Sequence, residues 1–160
     1  MPPDPKVINA LDQAGVVYEV MDCDPELADT AQFCAAYGVD PAESANTILV
    51  ASRRPAGEHA VCVALANTRI DVNGLVRRRL GVRKVSFAPA ELTRQITGME
   101  IGGVTVPGLP GHLPVWVDSE VVKTESVVIG AGTRSAKIRM AGRDLADLDG
   151  VEVIEGLAAG

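Results

Sequence analysis

The chain is poor in the residues on which several large classes of function depend. Two Phe, two Tyr and one Trp are scattered through 160 residues. No strand can therefore carry a row of aromatics for bases to stack on, which excludes RRM-type and single-strand-binding modules. Cys23, Cys34 and Cys62 make an odd number with no C-x-x-C pair. That excludes a disulfide frame and a cysteine zinc site, and leaves the three as small buried hydrophobes. His59 and His112 stand apart, without Glu or Cys at ligand spacing, so neither a metal nor a cofactor is expected. A G-x-S-x-G elbow is missing as well, and no nucleophile is visible. The apolar run at residues 61–66 falls far short of the roughly 20 residues that cross a bilayer. MPPDPKV at the start has no apolar signal core, so a soluble, cytoplasmic protein without a membrane partner is expected.

Charge is the next constraint. Against 21 acidic side chains stand 15 basic ones, a net charge of −6, which argues against coating a nucleic acid by bulk charge. Yet Arg77, Arg78 and Arg79, with Arg83 and Lys84, place five cations within eight residues. The cluster is either a solvated helix end, where cations complement the dipole, or a set of phosphate contacts.

Hydrophobic periodicity predicts the architecture. Val7, Ile8, Leu11 and Ala14 recur at helical spacing, and Gly15 stops the pattern. A strand over 16–21 leads to a helix capped by Asp29 or Thr30 and stopped by Gly38. Strands over 47–51 and 59–66, joined by a turn at 53–57, read as an antiparallel pair. Asp71 caps a helix over 72–80, a strand comes next at 84–87, and a further helix begins at Pro89 and ends before Gly98. Residues 99–114 hold four Gly and three Pro, too many breakers for a regular element, so an apolar loop walling a pocket is expected there. Strands over 115–117, 126–129, 137–140 and 151–154 complete the pattern, with a short helix after Asp118. The expectation is a single domain over residues 1–160 of the α+β class. Its mixed, curved, barrel-like sheet would have about seven strands, with four or five short helices packed around it.

Gly130-Ala131-Gly132-Thr133-Arg134-Ser135 looks like a dinucleotide fingerprint, but the segment after it alternates as a strand where the fingerprint needs a helix. It reads as a tight turn with exposed amides. The polar residues that interrupt strands, Asn46-Thr47 and Asn67-Thr68-Arg69-Ile70-Asp71, either cap strand ends or converge with the glycine loop on a small concave site.

Taken in order, these segments resemble a known family. They are Asn46-Thr47 opening a strand, Arg69-Ile70-Asp71, Val85-Ser86-Phe87-Ala88-Pro89, the run Thr97-Gly98-Met99-Glu100-Ile101-Gly102-Gly103 continuing to Pro107-Gly108, Trp116-Val117-Asp118 and Gly130-Ala131-Gly132. The set is similar, over essentially the whole chain, to the YbaK and prolyl-tRNA-synthetase-associated editing domains. The resemblance implies a barrel-like sheet and hydrolysis of the ester between a wrong amino acid and the 3′ end of tRNA. The implied partners are an aminoacylated tRNA and an aminoacyl-tRNA synthetase. It places Asn46 where the family carries a lysine, as the catalytic position. Thr47, Arg69, Gly102, Gly103, Pro107, Gly130, Ala131 and Gly132 become substrate-binding candidates, and Arg77, Arg78 and Arg79 candidates for tRNA phosphates.

This chain departs from the family pattern in having Asn46 for the lysine, Gly130 where many members carry Ser, and Lys137 near an acidic position. An asparagine can position water or a carbonyl but brings no charge. Two further functions are compatible with that: a silent member that binds the tRNA end or a related small molecule, and a small-ester hydrolase using His112 as base.

Overall fold

The computed structural model describes residues 2–160. Three Asp-Pro pairs organise its first third. Asp4, Asp24 and Asp40 each accept a hydrogen bond from the backbone N–H two residues on, and the intervening Pro supplies the helical φ. Asp4 thereby starts α1 (Pro5–Gln13), whose Val7 and Leu11 are buried. The other two start single 3-10 turns, Pro25–Leu27 and Pro41–Glu43. Between them run β1 (Tyr18–Asp22) and α2 (Thr30–Tyr37), which Gly38 closes in the left-handed conformation.

A hairpin, β2 (Ala45–Arg54) and β3 (Ala56–Leu65), forms the centre of a five-stranded sheet. β4 (Arg69–Ile70) leads to Asp71, whose carboxylate accepts from the Gly74 and Leu75 amides. The helix it caps begins as a wide turn at Val72–Val76 and continues as α3 (Arg77–Leu80). β5 (Lys84–Phe87) and α4 (Ala90–Thr97) come next, and residues 98–114 contain no helix or strand. Then come β6 (Val115–Asp118), α5 (Ser119–Lys123) capped by Asp118, β7 (Val127–Gly130), β8 (Ala136–Met140), α6 (Gly142–Leu145), β9 (Val151–Ile154) and β10 (Ala158–Ala159).

The α+β class stands, but the single sheet of about seven strands does not. Among the described residues ten strands divide into three sheets, ordered β5-β2-β3-β6-β9, β1-β8-β7 and β10-β4, and no barrel closes. The reason lies in pairings that local sequence does not encode. β4 and β10 are two residues each and find one another across the chain, and α6 is a single turn. The two larger sheets touch where Ser44, just before β2, makes a parallel bridge to Val128 of β7.

Alternation sends side chains to different cores. Leu49, Val61, Val63, Val115 and Val117 meet Val127, Ile129, Ile138, Met140 and the α1 residues Val7 and Leu11 between the sheets. Val50, Ala60, Cys62 and Trp116 face the other way, toward Val76, Val82, Ile154 and Leu157. A third cluster of Cys23, Ala28, Phe33, Cys34, Val39 and Val128 lies under α2. All three cysteines are buried and unbridged, as the composition suggested, and burial pushes the Cys62 thiol up to about 12. Among the described residues no helix is long and apolar enough to cross a membrane.

Candidate functional site at the seam of the two sheets

The bridge from Ser44 to Val128 brings three chain segments together: the start of β2, the end of β7 and the start of β8. On this corner lies the first part of the 98–114 loop. It approaches so closely because Gly130 has no side chain. A Cβ there would sit 2.6 Å from the Val104 carbonyl oxygen and 2.7 Å from that of Gly103, and a Cβ on Gly103 would meet Thr133 O at 2.5 Å. The Gly132 amide donates to Gly103 O at 2.7 Å, which locks the two glycine segments against each other.

Between these segments, α2 and α4 lies a cavity of about 330 Å³, lined by Asn46, Thr47, Leu49, Gly102, Gly130 and Lys137 among others. Its apolar wall includes Ala88, Ile101 and Val104, and the volume is in the range of small-ligand sites. Asn46 accepts a short hydrogen bond from the Thr30 hydroxyl through its side-chain oxygen, so its amide nitrogen is turned away from Thr30. The Thr47 hydroxyl is enclosed and has no hydrogen-bond partner in the protein.

Lys137 is the only cation buried among the described residues, at 5% exposure. Its Nζ donates to the Ala28 and Gly102 carbonyls, each at 2.7 Å, and lies 5.3 Å from the Phe33 ring centroid. Burial holds its ammonium below the usual lysine range. The Cys23 thiol opposes that shift, Arg134 reinforces it, and Asp29 and Cys34 oppose it. No carboxylate pairs with Lys137, because Asp29 is engaged by Arg134 at 3.1 Å. That same guanidinium donates to Pro25 O at 2.8 Å and Ile101 O at 2.6 Å, while the Arg134 amide donates to Glu100. Arg134 and Lys137 therefore both fasten the glycine loop to the segment preceding α2.

Other residues singled out by sequence lie elsewhere. Pro107 lines a separate cavity against α1 and residues 147–150. Ala131 is buried in the main core, and Gly132 packs on Asp4 and Val7. Arg69 borders a neighbouring concavity of about 400 Å³ that also includes Asn46, Ile48 and the half-exposed Phe87. Arg79 stacks over Trp116 at 5.1 Å and pairs with Glu152 at 2.6 Å, which ties it to the far face of the five-stranded sheet, whereas Arg77 bonds Asn73 O within its own helical segment. Arg78 is exposed. His112 lies exposed in the loop and does not line this cavity, and His59 is on β3 opposite Ala51.

The model of the aminoacyl-tRNA editing domain matches residues 24–148. The chain belongs to this family. The matched stretch contains every segment of the cavity. Solved structures with the same fold include the hypothetical protein APE2540, at 23% identity, TM-score 0.83, covering 96% of this chain and 99% of that one. A second is a candidate trans-editing enzyme for prolyl tRNA synthetase, at 22% identity, TM-score 0.79, with coverage of 98% and 99%. At these identities the likeness is one of fold. The editing domain thus has the α+β architecture expected from its motifs, with an open arrangement of sheets.

Sequence alone does not bring Thr30, Asp29 and Arg134 into the site, and it marks Lys137 only as a departure from the family pattern. Lys137 alternates with Ala136 and Ile138 and looks like the solvent face of an edge strand. The segment leading into α2, Phe33 of α2 and the glycine loop together bury it. For the residues at the start of α2 the available signal is the Asp29–Thr30 cap itself. Asp29 occupies the cap position of α2 but makes no capping bond, because its carboxylate is turned to Arg134.

Proposed function

We propose that this editing domain hydrolyses the ester of a mischarged tRNA, acting in trans on its 3′ end. The observation that carries the reading is the seam cavity, small and half apolar, with the Asn46 amide and an unpartnered Thr47 hydroxyl on its wall, in a chain of the editing family. A volume of about 330 Å³ suits a small amino-acid side chain together with part of the terminal ribose. Asn46 would orient water or the ester carbonyl, with Thr30 fixing its rotamer. The test is deacylation of tRNAs charged with Ala, Cys, Ser, Pro or Thr by excess pure protein. Turnover of at least one, lost with Asn46→Ala, is the expected result; a panel left intact refutes the reading. Asn46 at the family's lysine position favours a second reading, a member that binds the tRNA end without cutting it. Affinity without hydrolysis, unaffected by Asn46→Ala, is its signature.

The tRNA body has a candidate contact at the opposite end of β2. Arg53 and Arg54 close that strand, Lys84 pairs with Arg54 in register, the Arg83 amide bonds Arg54 O, and Arg78 stands close by in sequence on α3. All five are exposed, and none makes an ion pair among the described residues. Eight residues of β2 separate Arg54 from Asn46, roughly 26 Å of strand rise. Reversing two of these charges, Arg53→Glu with Lys84→Glu, is expected to lower kcat/KM for charged tRNA about tenfold and flatten its salt dependence by about two in log–log slope. Hydrolysis of a simple aminoacyl-adenosine should not change. An unaltered salt slope would remove this edge from the interface.

A further inference from the structure

We infer that Lys137 is a catalytic residue of the seam cavity, using the one Nζ–H not bonded to protein to polarise the ester carbonyl and hold the oxyanion formed when water adds. The inference rests on the deacylase reading and names the charge that Asn46 lacks.

An ammonium has three N–H bonds. Two of them are spent on Ala28 O and Gly102 O, which fixes Nζ beside the cavity wall and leaves the third without an acceptor. A staple between two carbonyls requires no charge, since a neutral amide could bridge them without the cost of desolvating a cation. The nearest carboxylate, Asp29, offsets only part of that cost, and the net shift stays downward. Of the groups facing Lys137, Asp29 is committed to Arg134, Cys23 and Cys34 are thiols, Arg134 is itself a cation, and Glu100 bonds the Arg134 amide. Burial pushes the Cys23 thiol up, which keeps it neutral. What remains on the Lys137 side is a charge held on a paired strand at the wall of the cavity. Its flanking contacts, two carbonyl oxygens and the face of Phe33, favour the ammonium and work against the burial that disfavours it.

In the reaction, the water oxygen bonds to the acyl carbon and the carbonyl π pair moves onto oxygen, where the Lys137 N–H meets it. As the C=O bond re-forms, the bond from the acyl carbon to the ribose oxygen breaks. That oxygen leaves with the proton given up by water, and the products are a free amino acid and a tRNA with its hydroxyl restored. A donor fixed before the charge develops is worth about 10²- to 10³-fold in rate.

The experiment compares the native chain with Lys137→Gln and Lys137→Arg, with Tm confirming that each folds. Lys137→Gln keeps donors for the two carbonyls and removes the charge, and kcat on the best aminoacyl-tRNA should fall about 100-fold while KM stays within a few fold. The native rate should decline as pH rises through the lowered Lys137 value, because the ammonium is the active form. In Lys137→Arg that alkaline decline should vanish, since a guanidinium stays charged. A Lys137→Gln rate within threefold of native, or an alkaline limb unmoved in Lys137→Arg, overturns the assignment while leaving the deacylase reading intact. If the native chain cleaves no charged tRNA, the deacylase reading fails, and binding of an amide-linked aminoacyl-adenosine decides about Lys137. Affinity lowered about tenfold or more by Lys137→Gln supports a carbonyl contact; equal affinity, or no binding by the native chain, overturns it.

Discussion

Gly130→Ala should lower the melting temperature by about 6–12 °C, corresponding to about 3 kcal/mol in a chain of this size. Nothing in the φ of Gly130 demands glycine. The cost comes from where the new methyl would go, 2.6 Å from Val104 O and 2.7 Å from Gly103 O, both backbone atoms that no rotamer change can move aside. Relief requires lifting the glycine loop off β7, and Gly102, which accepts from Lys137, would move with it. Activity should therefore fall together with stability. Gly111→Ala is the internal control, since a Cβ there meets nothing within 4 Å, and its effect should stay within about 0.5 kcal/mol. Calorimetry of the two variants decides the matter: equal melting temperatures would mean that the loop does not rest on β7 as described.

Asn46→Lys, which introduces the residue that the resemblance implies for this position, should reduce deacylation rather than raise it. Asn46 and Lys137 line one cavity, so the substitution places a second ammonium beside a cation that burial already holds low. A like charge disfavours the protonated form of both. The alkaline limb of the rate profile should move to lower pH by about one unit, and at pH values above it the rate falls about tenfold. The Thr30–Asn46 hydrogen bond is lost as well. Adding Lys137→Asp should move the alkaline limb back up, because an opposite charge then faces the new lysine, while the rate stays below native because the donor on β8 is gone. A pH–rate series on the native chain and the two variants tests this; a single Asn46→Lys variant faster than native across the series would show that the cavity wants its cation on β2.

Much of this protein is determined by sequence alone, because the governing physics is local. Asp before Pro starts a helical turn at 4, 24 and 40, Asp71 and Asp118 cap the helices that begin one residue later, and Gly38, Gly81 and Gly98 end helices in the left-handed conformation. Unbroken apolar runs mark the long strands β2 and β3, the Gly and Pro of residues 98–114 keep that segment irregular, and the order of motifs identifies the family. Each depends on neighbours a few residues apart. Only the tertiary structure decided that the strands divide into three sheets, that Arg79 is held by Trp116 and Glu152, that Pro107 walls a different cavity from Gly102, and that Lys137 is buried. Those outcomes join residues far apart in the chain. Lys137 differs from an exposed strand lysine only because Phe33 and the carbonyls of Ala28 and Gly102, 35 or more residues away, close over it. Strand periodicity says which face a side chain is on, and it is silent about what covers that face.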